Sequence, residues 1–485
     1  PALDESEVRR LAAKVRCPTL VVHGSDDRVR TPESGRLLAE LLHGRFVLLD
    51  GSGHSPHARD PVKLNLLIRE FACPAPPIAR PHTRSAGRRA LFISSPIGLG
   101  HAQRDVAIAD ELRKLHPELE IDWLAQHPVT EVLRARGERI HPASAFLASE
   151  CAHLQSESSR HDLHVFQAWR RMDEILIANF MVFHDLVREE DYDIWIGDEA
   201  WDLDYYLHEN PRQKRAAYVW LTDFIGWLPM PEGGPAEARL TADYNAEMVG
   251  HIARHPGLRD RSIFVGNPDD IVPDTFGPDL PRIRDWAAEH FHFPGYVTGF
   301  EQPALRDTET LRAELGYRPD ELVCIATVGG SGVGTALLER VIDSFEPAKE
   351  LVPELRMIVV AGPRIDPAAL RTTAGLEVRP YVSQLYRNLA ACDIAIVQGG
   401  LATSMELTAN RRPFLYFPLK QHFEQQFHVR HRLDRYGAGR AMDFDGDGPA
   451  EVAAALAGHV GRGVAYRPVE GDGAARAAAL IADLL

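Results

Sequence analysis

No stretch of this chain approaches the ~18 consecutive apolar residues needed to cross a bilayer, and no secretory leader opens it. A membrane span is therefore not expected. Basic charge is in deficit. The 54 Lys and Arg face 69 Asp and Glu, and the formal net charge of −15 argues against a nucleic-acid groove. Cysteine is sparse and scattered: Cys17, Cys73, Cys151, Cys324 and Cys392 form no C-x-x-C pair. Such a set fits reduced thiols in a cytoplasm better than a disulfide scaffold or a zinc knuckle. Internal repeats and low-complexity arrays are also missing. The chain starts at Pro1 in mid-pattern, and the expectation is a fragment or a processed piece.

What is present is ordinary globular material, 45% hydrophobic and 25% charged, in 485 residues that suggest two to four domains. The most informative stretch is Asp393 to Glu406, DIAIVQGGLATSME. An apolar run (Ile394, Ala395, Ile396, Val397) suits a buried parallel strand. Gly399 and Gly400 make a turn, and a helix opens at Leu401, Ala402 and Thr403. Unpaired amides at a helix start favour an anion. Glu406 lies one turn in, where a carboxylate can accept from vicinal hydroxyls. Phosphate beside a sugar diol implies a nucleotide. The following strand ends at Pro418 and leads into a polar cluster, Gln421, His422, Glu424, Gln425 and Gln426. Ligands of open α/β sheets bind at the carboxyl ends of neighbouring strands, so the two loops should meet.

This pattern resembles the donor-binding half of GT-B nucleotide-sugar glycosyltransferases, in particular the type of the lipid-II N-acetylglucosaminyltransferase and related macrolide and lipid enzymes. The resemblance covers roughly residues 89–485 and rests on a G-G-x-x-T-x-x-E loop followed by a strand and a Q-Q loop. It implies an α/β fold of GT-B type, two facing Rossmann-like domains with parallel sheets: an acceptor domain at 90–300 and a donor domain at 301–485.

The implied acceptor domain opens with RALFISSP and the turn IGLGH. The resemblance makes His101 the base for the acceptor hydroxyl and Asp198, at the end of DYDIWIGD, the carboxylate that holds the imidazolium. The glycine pair Gly98 and Gly100 also invites a dinucleotide reading, but Gln103 stands where a third glycine belongs and the second strand ends in Ala125-Gln126. In the donor domain, strand 322–328 runs into Gly329-Gly330-Ser331-Gly332. This is not a Walker loop, because Thr335 and not Lys follows Gly334. The resemblance places Gly330 and Ser331 under a diphosphate, with Gly400, Leu401, Ala402 and Thr403. It places Tyr381, Val382 and Leu385 around the base, Glu406 on the ribose, and Gln421, Gln425 and Gln426 on the sugar. D-x-D triplets at Asp191/Asp193, Asp202/Asp204 and Asp445/Asp447 are rejected as metal sites, since none has the right glycine context. No metal and no cofactor is expected; the nucleotide-sugar is a substrate.

Residues 1–72 form a separate unit. CPTLVVHGSDD and GSGHSPHARDP resemble the C-terminal part of an α/β-hydrolase, a partial segment in which Asp27 would orient His54. The G-x-S-x-G elbow is absent. The nearest stretch, Gly329 to Val333, lacks the last glycine and lies downstream, so this chain cannot form an acyl-enzyme. Residues 73–89, rich in Pro, Ala and Arg, read as a linker.

The expected activity is metal-independent, inverting transfer from a UDP- or dTDP-sugar to the hydroxyl of a small-molecule or lipid acceptor, in the cytoplasm. Contact with a membrane surface is compatible with a lipid acceptor. The alternatives are a nucleotide-sugar epimerase or hydrolase on the same fold, or a hydrolase fusion whose glycosyltransferase part only binds.

Overall fold

The computed structural model describes residues 5–73, 87–300, 307–330 and 332–485. The chain divides into two compact units, Pro1–Thr83 and Arg84–Leu485. The segment expected to be a linker falls largely outside the described residues.

In the first unit, β1 (Leu20–Gly24) and β2 (Arg45–Leu49) pair in parallel, with the helix Pro32–Leu41 between them in sequence. Gly24 ends β1 because the carbonyls of Ser52 and Gly53 occupy the space a Cβ would need. This close approach brings the two loops together. His54 Nδ1 lies 2.9 Å from Asp27 Oδ2, and His23 Nε2 lies 3.2 Å from the same oxygen. Burial pushes the Asp27 carboxyl up, but the Arg30 and Val29 amides and His54 outweigh it and bring it down to about 2.

The second unit contains two six-stranded sheets, all of whose pairings are parallel. The first is built from β3 (Arg89–Ser94), β4 (Glu120–Leu124), β5 (Arg139–Ile140), β6 (Ile194–Asp198), β7 (Ala217–Thr222) and β8 (Arg261–Phe264). The second uses β9 (Leu322–Thr327), β10 (Leu355–Val360), β11 (Leu376–Arg379), β12 (Ile394–Val397), β13 (Phe414–Tyr416) and β14 (Arg440–Ala441). Their orders are β5-β4-β3-β6-β7-β8 and β11-β10-β9-β12-β13-β14. In each the chain starts in the middle, builds outward to one edge, then returns and builds the other way. That is the doubly wound order, and its switch point lies between β3 and β6 in one sheet and between β9 and β12 in the other.

The continuous apolar runs of the central strands follow from burial on both faces. Phe92 of β3 stacks on Trp123 of β4 with ring centroids 4.5 Å apart, and both rings are fully buried. The helix Leu99–Leu115 buries Val106, Ala109 and Leu112, the helical spacing expected of it. The last helix, Gly473–Ala482, packs against Leu99–Leu115, so the C-terminus returns to the first sheet's layer. Gly473 permits this, because a Cβ there would overlap the Tyr296 carbonyl. Among the described residues no helix is long and apolar enough to cross a membrane.

Candidate functional site

The loops at both switch points line one cavity of about 200 Å³. From the first sheet come Gly98–His101, which follow β3, together with Arg104 and Asp223. From the second come Gly329 and Gly330 after β9, and Gly400–Thr403 after β12. The glycines serve contact between these loops. A Cβ on Gly100 would coincide with the Ala402 methyl, and one on Gly330 would press on the Leu99 side chain. Gly100 thus faces the opposite helix start, and its missing side chain makes room for Ala402.

His101 sits at the start of its helix, and β6 runs beside β3 in a register that pairs Ser94 with Asp198. The imidazole Nδ1 lies 2.9 Å from Asp198 Oδ2, and its Nε2 lies 4.0 Å from Glu199 Oε2. Arg104, one helical turn after His101 and 5% exposed, fills the space behind the pair. It donates to Asp198 through Nε at 2.9 Å and through Nη2, to Asp223 through Nη1, and approaches His101 Nδ1 to 2.8 Å. Burial and the Arg104 charge push the His101 imidazole down, but the Asp198 and Glu199 carboxylates outweigh both and raise it to about 9. Burial pushes Asp198 up; Arg104 and His101 overcome it and hold the carboxyl well below its usual range.

Glu199 adopts φ 47°, a left-handed conformation costly for a residue with a Cβ, and such outliers gather at functional sites. Its Oε1 accepts from Thr222 Oγ1 at 3.0 Å and the Asp223 amide at 3.1 Å. Burial, then the Asp223 charge, push it up to about 7. Burial and the charges of Asp223 and Glu199 likewise push Glu424 up to about 8.

On the opposite wall, the helix Leu401–Ala409 starts at Gly400, and Leu401, Ala402, Thr403 and Glu406 all line the cavity. Burial pushes the Glu406 carboxyl up to about 8. Gln398, at the end of β12, donates to the Val333 carbonyl at 2.9 Å and so ties the two glycine loops together. His422 also lines the cavity; its Nδ1 is buried without a partner. Tyr381, Val382 and Leu385 complete the lining beyond β11.

Most sequence-predicted residues thus meet: His101, Asp198, Gly330, Tyr381, Val382, Leu385, Gly400, Leu401, Ala402, Thr403, Glu406 and Gln425 share one site, with Asp198 reaching it through His101. Ser331 lies outside the described residues. Two of the expected residues point elsewhere. Gln421 turns away to donate to Asp162 Oδ2 at 3.0 Å, and Gln426 donates to the Leu419 carbonyl at 2.8 Å. Neither lines the cavity. Neighbouring residues of a helix do not share a face, so within the turn Glu424–Val429 the two glutamines point different ways. Gln425 lines the cavity, but its Oε1 accepts from the Leu419 amide at 2.8 Å, so the Q-Q pair clamps its own loop. Sequence reasoning missed Arg104, Glu199 and Asp223, while Glu424 belongs to the polar cluster expected at this loop. The i+3 spacing of Arg104 from His101 was the one available signal.

No protein-family model matches the chain. Among curated proteins it is 34% identical over 211 residues to the UDP-N-acetylglucosamine–N-acetylmuramyl-(pentapeptide) pyrophosphoryl-undecaprenol N-acetylglucosamine transferase of Thermobifida fusca, covering 41% of this chain and 50% of that protein. It is 25% identical over 218 residues to an uncharacterized glycosyltransferase of Methanopyrus kandleri, covering 44% and 60%. The chain spans about half the length of the curated relatives it matches, and those relatives are glycosyltransferases. Among solved structures, the glycosyltransferase of kitacinnamycin aligns over 82% of this chain and 99% of its own, at 16% identity and a TM-score of 0.49. A spinosyn rhamnosyltransferase complexed with thymidine diphosphate aligns over 82% and 95%, at 17% identity and a TM-score of 0.49. Two doubly wound parallel sheets whose carboxyl edges line one cavity make the second unit an α/β protein of GT-B type.

Proposed function

We propose that the second unit is an inverting, metal-independent glycosyltransferase that moves a sugar from a UDP- or dTDP-sugar to an acceptor hydroxyl. The observation that carries this reading is the His101–Asp198 pair, 2.9 Å apart, facing across one cavity toward the helix start at Gly400–Thr403 and Glu406. In the proposed step the acceptor hydroxyl gives its proton to His101 Nε2 while its oxygen attacks the anomeric carbon from the face opposite the diphosphate. The bond from that carbon to the diphosphate oxygen breaks, and the configuration inverts. Asp198 stabilises the imidazolium that forms. Charge growing on the leaving diphosphate meets the free amides at the start of the Leu401–Ala409 helix and the backbone of the loop at Gly330. Glu406 receives the ribose hydroxyls, and Gln425 with Glu424 faces the sugar.

His101, Asp198 and Glu199 bring potential ligand atoms within 4.8 Å of one another, so a dication deserves a test of fit. Arg104 answers it. Its guanidinium already engages Asp198 through two nitrogens and lies 3.9 Å from Glu199, so a metal ion would face a fixed positive charge. These residues do not fit a cation, which supports the metal-independent reading.

The proposal extends to the first unit, read as part of an α/β-hydrolase in which Asp27 orients His54. Without a nucleophile elbow that pair performs no acyl transfer in this chain.

The test is to incubate the purified protein with a panel of UDP- and dTDP-sugars, with and without hydroxylated acceptors, and follow release of the nucleoside diphosphate. Slow donor hydrolysis that accelerates with an acceptor is the expected result. His101→Ala should abolish it and leave donor affinity intact. Epimer exchange without release, or binding without turnover, overturns the proposal.

A further inference from the structure

Away from this cavity, the acceptor-side half holds a second, smaller one of about 40 Å³ whose walls include Trp169, Trp201, Trp227 and Tyr244. The rings touch one another: Trp169 and Trp227 have centroids 4.9 Å apart, Trp201 and Trp227 5.7 Å, and Trp169 and Tyr244 5.6 Å. Their planes are tilted by 43° to 77°, so aromatic surface reaches the cavity from several directions. At roughly 10–15 Å³ per water-sized occupant, the space takes about three heavy atoms, which is a head group and not a sugar ring.

The rest of the lining is polar in a one-sided way. His208 is 3% exposed, and its Nδ1 lies 2.8 Å from the Asp204 carbonyl, which places the ring proton on Nδ1. Its Nε2 is then a lone pair, buried with no partner. Trp169 Nε1–H is the complement, a buried donor with no acceptor. Glu247 accepts a hydrogen bond from Tyr205 at 3.3 Å, and among the described ion pairs no Arg or Lys neutralises it. Asp204, by contrast, is matched by Arg259 at 2.7 Å. Glu247 and His251 line one end together, with ligand atoms within 4.8 Å of each other and of Glu209, which stands outside the lining.

We propose that this cavity binds a protonated amino alcohol: the ammonium sits among the aromatic rings beside Glu247, donates its N–H to His208 Nε2, and the neighbouring oxygen accepts from Trp169 Nε1–H. Each unmet group then has a partner of the right sense. The ring quadrupoles attract the cation, and the Glu247 carboxylate adds to that attraction. Burial also pulls the His208 imidazole down to about 4, which keeps it a neutral acceptor. The amine belongs either to a sugar acceptor or to a free small molecule; the site's chemistry is the same.

Binding is read without turnover, so the outcome does not depend on glycosyl transfer. The three tryptophans report on the cavity, and their fluorescence is followed as ethanolamine hydrochloride, the smallest stable amino alcohol, is titrated against matched sodium chloride. A saturable change is expected. Choline, which has no N–H for His208, should bind at least about threefold more weakly, and Glu247→Gln should weaken the amine about fivefold or more while keeping the wild-type melting temperature. Trp169→Leu is the second variant, with a loss of similar size. A change no larger than that of salt alone, choline binding as tightly as ethanolamine, or a folded Glu247→Gln protein with unchanged affinity each overturns the proposal. Where transfer is measurable, inhibition by the free amine competitive with the acceptor assigns the group to the acceptor. A rate change without competition assigns it to a separate ligand. Both arms support the site.

Discussion

Replacing Arg104 with Met tests the electrostatics of the candidate site most directly. The side chain is 6% exposed and supplies hydrogen bonds to Asp198 and Asp223, whose side chains are 0% and 8% exposed. Met fills nearly the same volume without the charge, so the cost is two buried carboxylates deprived of their cation. Breaking a buried pair from one side typically costs about 3–5 kcal/mol, and relief by proton uptake sets its pH dependence. In the wild type Asp198 is held below its usual range, so its stabilising contribution is present above the unfolded value and lost as pH falls through the folded one. Without Arg104 the folded pKa moves upward, the folded state takes up a proton, and the penalty grows as pH rises. Urea unfolding at pH 5.5 and pH 8 should therefore show a loss of about 2 kcal/mol or less at the lower pH and about 3–5 at the higher. The His101 imidazole, relieved of a neighbouring positive charge, should titrate higher than in the wild type. A loss below about 1 kcal/mol at pH 8 that does not vary with pH would refute this account of the cluster.

Transfer requires neutral His101, and with its pKa at about 9 the rate should climb about tenfold per pH unit below that value and level off above it. A plateau already reached near pH 7 would contradict the pairing with Asp198 and Glu199. Asp198→Asn removes an attraction that raises the imidazole, so the midpoint of that profile should move to lower pH as the maximal rate falls; an unmoved midpoint speaks against the assignment. Glu406→Ala should weaken donor binding about five- to a hundredfold by calorimetry, the loss expected for two hydrogen bonds to a carboxyl group that burial holds protonated, and leave any residual turnover of bound donor similar. Gly100→Val should force the loop off Ala402 at a cost of about 1–3 kcal/mol, seen as a lower melting temperature; an unchanged melting temperature would show that the two loops do not pack as described.

Legibility differed along the chain for identifiable reasons. The strands β3, β9 and β12 could be read directly, because doubly buried parallel strands leave unbroken apolar runs punctuated by glycine. The glycines themselves were visible, but their purpose at Gly100 and Gly330 was not. Each accommodates a neighbour far away in sequence, Ala402 for the one and Leu99 for the other. The pair Gln425–Gln426 was legible as a motif, but only Gln425 lines the cavity, because neighbouring residues of a helix do not share a face. Arg104 was invisible for a different reason. A charged residue on an amphipathic helix reads as solvated unless the carboxylates that bury it are known, and these come from β6 and the end of β7.

By itself, then, the chain's order of residues decided local matters: strand, turn and helix starts, the apolar faces, the lack of a G-x-S-x-G elbow, and the histidine and glutamate at the heads of their helices. Those are governed by steric and hydrophobic rules acting over a few residues. Which carboxylates surround His101, whether Glu406 is held protonated by burial, and which glutamine faces the cavity were decided only in three dimensions. Electrostatics and desolvation depend on distance through space, and the β3–β6 and β9–β12 switch points bring together groups about seventy to a hundred residues apart.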